Sequence, residues 1–235
     1  MINIDTPSSK NEINEEKAVE NKQKHPDESS GIYIRGHIKI FDPDSGEVFI
    51  DKSNAIHYEN FSIALARSIA DKNSTEGGFI YEMHFGNGGT SVDPTGIITY
   101  LPTNTVGQNA NLYNPTYAKI VDDTAIANPN PANNKMTVTH YPGTVYTDIL
   151  VSCLLDYGEP VNQELFDNSQ TLNGQYVFDE LGLRGRSIDG TSGLTSTGLL
   201  LTHVVFHPVQ KSLNRLIQID YTVRIQTLTN LSTLG

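Results

Sequence analysis

The chain has 235 residues, with 27 Asp and Glu against 16 Lys and Arg, a formal net charge of −11, one cysteine and no tryptophan. That length can bury a sizeable core, and one β-sandwich or barrel with decorated loops is a common use of it. The acidic balance argues against a nucleic-acid phosphate surface, which draws its affinity from clustered Lys and Arg, and the solitary Cys153 excludes an intrachain disulfide.

Residues 1–30 differ from the rest: Glu12, Glu15, Glu16 and Glu20 mix with Lys10, Lys17, Lys22 and Lys24, and few apolar residues offer a core anything to hold. Such a segment cannot fold alone and reads as an extended arm that a neighbouring subunit would order. The opening Met1-Ile2-Asn3-Ile4-Asp5 contains no apolar run long enough for a signal peptide or a membrane span, so synthesis in the cytoplasm and no membrane partner are expected. Residues 31–235 read as a single domain.

That domain begins with alternation. Ile32, Ile34, Ile38 and Ile40 alternate with Tyr33, Arg35, His37 and Lys39, which predicts a strand over 32–41 with one face on a core and one wet. The turn Asp42-Pro43-Asp44-Ser45-Gly46-Glu47 leads into a second strand over 48–50. Phe61, Leu65 and Ile69 recur every four residues among Ala64, Ala66 and Ala70, predicting one helix over 58–71. Residues 79–85 read as a strand. A stretch rich in Gly, Asn, Thr and Pro then runs from Gly86 to Asn134, with short apolar pieces at 97–101 and 118–121 that can pair as strands. Long loops in compact domains usually exist to touch something. Strands are predicted at 136–141, 145–155 and 176–181, a Gly/Ser/Thr loop at 184–198, and a closing hairpin that pairs 199–206 with 216–226 across a turn near 210–214. In the last strand Ile217, Ile219, Tyr221, Val223 and Ile225 face one side, and Gln218, Asp220, Thr222, Arg224 and Gln226 the other. The fold class predicted is mainly β: an antiparallel, jelly-roll-like β-sandwich with one α-helix, long Gly/Asn-rich loops and the N-terminal arm.

No catalytic set emerges from the residues. His203 and His207 lie on a strand, where residues four apart stand about 13 Å from each other and cannot share one ion. Asp42-x-Asp44 lacks the downstream ligands of a calcium loop, with Gly46 at position five and Ser53 at twelve. Gly86-Asn87-Gly88-Gly89-Thr90 follows a strand but carries no P-loop lysine, and reads as a tight glycine turn at the rim of a sheet. The carboxylate pairs Asp179/Glu180, Glu159/Glu164 and Asp122/Asp123 could serve acid–base chemistry only in a cleft, and with no Trp for sugar stacking a glycosidase is not favoured. No serine sits in a Gly-x-Ser-x-Gly elbow. Cys153, inside the apolar run 149–155, reads as a buried inert thiol. No catalytic, cofactor-binding or metal-binding residue and no cofactor is therefore assigned, and no enzyme is expected.

Three segments together resemble structural proteins of tailed bacteriophages: Lys52-Ser53-Asn54-Ala55-Ile56-His57 leading into the helix; Met83-His84-Phe85-Gly86-Asn87-Gly88-Gly89-Thr90; and Asp179-Glu180-Leu181-Gly182-Leu183 followed by Leu200-Leu201-Thr202-His203-Val204-Val205-Phe206-His207-Pro208 and the final strand. The resemblance covers about residues 31–226 and implies a non-enzymatic virion component of the neck or collar, baseplate or fibre-attachment region, with a capsid decoration protein as the alternative. It implies assembly in the host bacterial cytoplasm, contacts with copies of itself and with neighbouring virion proteins, and a closed ring or trimer. The segments expected to make these contacts are residues 1–30, 86–115 and 184–198. A receptor- or glycan-binding adhesin of similar fold is a further reading, with Tyr113, Tyr117, Asn111 and Asn114 gathered on one rim. A metal-dependent cupin-like enzyme would need histidines that the fold brings together.

Overall fold

The computed structural model describes residues 30–70, 72, 77, 79–160 and 176–229. The expected arm, residues 1–30, and Glu164 of the expected Glu159/Glu164 pair lie outside these, apart from the backbone of Ser30. The described strands are β1 (Ser30–Phe41), β2 (Val48–Ile56), β3 (Ile80–Gly86), β4 (Thr90–Val92), β5 (Ile98–Tyr100), β6 (Pro115–Ile120), β7 (Lys135–His140), β8 (Tyr146–Leu155), β9 (Tyr176–Gly185), β10 (Thr202–Lys211) and β11 (Ile217–Thr229). The described residues also include the helix α1 (Tyr58–Ile69) and a 3-10 turn, Gly193–Thr195. Nine strands form one curled antiparallel sheet in the order β6-β3-β9-β10-β2-β1-β11-β8-β7, and β4 and β5 form a separate ribbon. The fold is mainly β and sandwich-like, as the alternation predicts.

The curl has a visible seam. Where β10 meets β2, only Thr202↔Ile56 and His203↔Ala55 pair, whereas β11 and β8 stay in register over ten residues from Ile217↔Leu155 to Gln226↔Tyr146. The sheet folds over at this short junction. One core is shared by Met83, Phe85, Phe178 and Phe206 from one half and Ile38, Ile40, Val151, Ile219 and Tyr221 from the other. Edge-to-face contacts of Phe178 with Phe85 (5.4 Å) and Phe206 (5.8 Å) fill its centre. Gly31–Leu228 makes one compact unit. Among the described residues no helix is long and apolar enough to cross a membrane.

Several sequence expectations need correction. The closing hairpin does not exist: β10 pairs with β9 and β2, while β11 pairs with β8 and lies beside β1. Period-two alternation states which face of a strand is buried but not which strand lies beside it; the short turn carries the chain across the core from one half of the sheet to the other. Residues 98–100 and 115–120 are strands but do not pair with each other, since β5 pairs with β4 and β6 with β3. Strand β2 continues from Ile50 to Ile56 and runs almost directly into the helix. At the other end, α1 stops at Ile69, short of Asp71. Its Phe61, Leu65, Ile69 stripe buries only Phe61 fully, with Ile69 exposed, because a four-residue step drifts about 40° around a 3.6-residue helix at each repeat. Ile32 is exposed and Ile225 only half-buried, so the inward faces of β1 and β11 begin and end within the strands.

Candidate functional site: a clamped glycine loop

Two adjacent carboxylates on β9 organise the rim of the sheet. Asp179 and Glu180 sit within the otherwise apolar or aromatic run from Tyr176 to Leu183 and are buried. A buried carboxylate is tolerated only when its oxygens are fully hydrogen-bonded. Glu180 Oε1 accepts from the backbone N–H of Gly88 (3.2 Å) and Asn114 (2.8 Å), and Oε2 accepts from Tyr113 N–H (2.9 Å). His203 Nε2 lies 3.0 Å from Oε2, with both side chains fully buried. Because His203 Nδ1 accepts from Asn104 N–H at 2.7 Å, the ring proton is on Nε2 and is donated to Glu180. Asp179 takes the neighbouring amides: Oδ1 accepts from Gly89 N–H and Oδ2 from Thr90 N–H, both at 2.9 Å, and the Thr90 hydroxyl also donates to Oδ2.

The two carboxyls are shifted in opposite directions. Burial pushes Glu180 upward, but the hydrogen bonds from His203 and from the Asn114 and Tyr113 amides outweigh it and hold the group below the usual glutamate range. At Asp179 burial wins over the Thr90 and Gly89 bonds, and the group is raised.

The clamp explains the glycines. A Cβ on Gly86 would stand 2.4 Å from Glu180 Oε1 and 2.6 Å from the Asn114 carbonyl oxygen, and one on Gly89 2.9 Å from Val205 Cγ1. The turn expected at the sheet rim is present, and close approach to its anchors is what these positions require of a residue.

Further tethers hold the rest of the 86–115 segment. His57 caps α1, its Nδ1 accepting from Asn60 N–H at 3.2 Å and its Nε2 donating to the Gly107 carbonyl at 2.9 Å. Asn60 Nδ2 donates to the Leu200 carbonyl at 2.8 Å and the Gln108 carbonyl at 3.3 Å. Arg184, buried at the end of β9, donates through Nη2 to Asn111 Oδ1 and through Nη1 to the Gly198 carbonyl at 2.5 Å, so it joins the 86–115 and 184–198 loops. In the second loop the Ser187, Thr191 and Thr197 hydroxyls and the Thr191 amide all donate to Asp189, holding its carboxyl well below the usual range.

With its backbone held from beneath, the segment presents apolar side chains outward: Val92 and Ile97 are each 62% exposed and Val106 86%. Tyr100, Leu101 and Tyr113 are exposed beside them. The β4–β5 ribbon carries Val92 and Tyr100, and its turn is set by Asp93, whose Oδ1 accepts from the amides of Thr95 and Ile97.

The residues weighed from sequence fall as follows. His203 is a buried clamp residue, whereas His207 is exposed with Nδ1 3.3 Å from the Tyr100 hydroxyl. Among the described residues no group of three His, Cys, Asp or Glu side chains is placed to hold a metal ion. Asp42 accepts from the Asp44 and Ser45 amides, as a hairpin turn requires. Asp122 accepts from Thr124, while Asp123 faces Met136 N–H at 3.4 Å. Cys153 is buried, and burial pushes its thiol up to about 12. The four rim residues proposed to read a glycan do not stand free together: Asn111 is engaged by Arg184, the Tyr113 hydroxyl donates to the Pro102 carbonyl at 2.6 Å, Asn114 Nδ2 donates to Asn87 Oδ1 at 2.5 Å, and Tyr117 packs on Phe85 and Tyr176. The tethering roles of His57, Asn60 and Arg184 carry no signal in the sequence, and Asp179 and Glu180, weighed there as an acid–base pair, are anchors of backbone amides. Comparison with protein-family models, with curated proteins and with solved structures returned no match.

Proposed function

We propose that the chain is a non-enzymatic structural component of a tailed-phage virion, a contact module that joins copies of itself to neighbouring virion proteins in the neck or collar, baseplate or fibre-attachment region. The observation that carries this reading is the 86–115 segment, an ordered and partly apolar outer surface whose backbone is fastened by buried side chains. A surface organised before binding loses little freedom on association, which suits a subunit made to be held. The buried ionisable groups of the clamp support the same reading, because the oxygens of Asp179 and Glu180 and the nitrogens of His203 are spent on backbone amides, on the Thr90 hydroxyl and on each other. Two of the segments that carry the resemblance to phage proteins, 83–90 and 179–183 with 200–208, meet in this clamp.

Location of the chain in density-gradient-purified particles from infected cells, by peptide mass spectrometry and antibody labelling in the electron microscope, tests the proposal. The expected result is a fixed copy number per particle in a closed ring or trimer at one station. A chain found only in the soluble fraction would overturn it.

A further inference from the structure

A second buried polar group lies away from the clamp, where the two ends of the curled sheet meet. Lys119, on β6, is 6% exposed, and its Nζ donates to the Leu154 carbonyl at 2.7 Å and to Glu159 Oε2 at 2.5 Å. Asn134, the residue before β7, is fully buried. Its Oδ1 accepts from Leu154 N–H at 2.9 Å, while its Nδ2 meets no hydrogen-bond partner. Glu159 Oε2 is steadied by Asp156 N–H at 2.8 Å. A primary amine and a carboxamide are thus seated on the carbonyl and the amide of one residue, and in an antiparallel strand those two groups point to the same side.

We infer that Lys119 and Asn134 are the two halves of an intramolecular amide cross-link, with Glu159 as the proton carrier. Leu154 brings the amine and the carboxamide to one residue, and Glu159 is already on the amine. Glu159 takes a proton from the Lys119 ammonium, and the neutral Nζ attacks Cγ of Asn134. Leu154 N–H, already on Oδ1, holds the negative charge that develops there, as a preorganised donor does in acyl transfer. Glu159 returns its proton to Nδ2, the Cγ–Nδ2 bond breaks, and the last surplus proton on Nζ passes through the carboxylate and departs with ammonia as ammonium. One C–N bond forms and one breaks, with no oxidant or second reactant. Nδ2 is the departing atom, and it is the one polar atom of the group that nothing holds. Confinement of amine and amide in a folded interior supplies the effective concentration that the same pair lacks in an open chain.

The position gives the bond a use. Strands β6 and β7 are the two end strands of the nine-stranded order. A covalent bond from Lys119 to Asn134 would join those ends and close the curled sheet.

Intact mass spectrometry of the denatured full-length protein tests the inference. The expected mass is lower by one ammonia than that calculated from the sequence, and tryptic mapping should show no cleavage after Lys119, with that residue joined to Asn134 in one looped peptide. Asn134→Ala and Glu159→Gln, each checked for native circular dichroism, should restore the calculated mass and the cleavage. A folded wild-type protein at the full calculated mass would overturn the cross-link without any variant. An ammonia loss that persists in Asn134→Ala would overturn it too, by assigning the loss to ring closure at another asparagine.

Discussion

Glu180 shows how one charged side chain can govern many neighbours. It accepts from three backbone amides and from His203 without contact with water, and bonds to a buried carboxylate are stronger than those to a neutral group. Glu180→Gln keeps the shape, but it substitutes a neutral amide whose NH2 faces donors. A loss on the order of 2–4 kcal/mol at neutral pH is expected from urea unfolding. The acid dependence has a definite sign. Because the folded-state pKa of Glu180 is depressed, its contribution is complete above the unfolded glutamate value of about 4.3 and is lost as pH falls through the folded value. The stability gap between wild type and Glu180→Gln should therefore narrow below about pH 4. A gap that stayed constant down to the acid transition would mean that the charge contributes nothing.

At the level of elements, strand positions were legible in the sequence and strand partners were not. The alternation in β1 and β11 placed Ile34, Ile38, Ile40, Ile217, Ile219, Tyr221 and Val223 on the core face, where each is buried. Nothing in a period of two distinguishes a neighbour in the same layer from one across the core, so alternation suggests a β10–β11 hairpin that the fold does not contain. The glycine loop reads as a turn in the sequence, but its cause does not, because Glu180, which crowds Gly86, and Val205, which crowds Gly89, lie far along the chain from them. Local sequence states that glycine is present; only the tertiary contact states why. The crowding makes a prediction for this element. Gly86→Ala should destabilise the fold by roughly 1–3 kcal/mol, since the new methyl meets the Asn114 backbone and Glu180 Oε1 at once. Calorimetry would show this as a lowered Tm, and an unchanged Tm would mean that the clamp yields freely.

The whole molecule separates support from contact. Val106 is 86% exposed and Ile97 62%; buried His57 and His203 hold the backbone on either side of Val106, and the Asp93 turn holds that of Ile97. Surface substitutions of this kind usually alter stability by less than about 0.5 kcal/mol. The pair Ile97→Glu and Val106→Glu should accordingly leave urea unfolding almost unchanged while weakening association, read as a smaller sedimentation coefficient at equal protein concentration. Unaltered sedimentation would remove this surface from the proposed assembly. The fastening has a consequence for descent as well. Asp179 and Glu180 grip the amides of Gly88, Gly89, Thr90, Tyr113 and Asn114 and so ask little of most side chains between them. A lineage built on this scaffold can rewrite the outward lettering of the segment to follow a changing partner while the rivets underneath stay where they are.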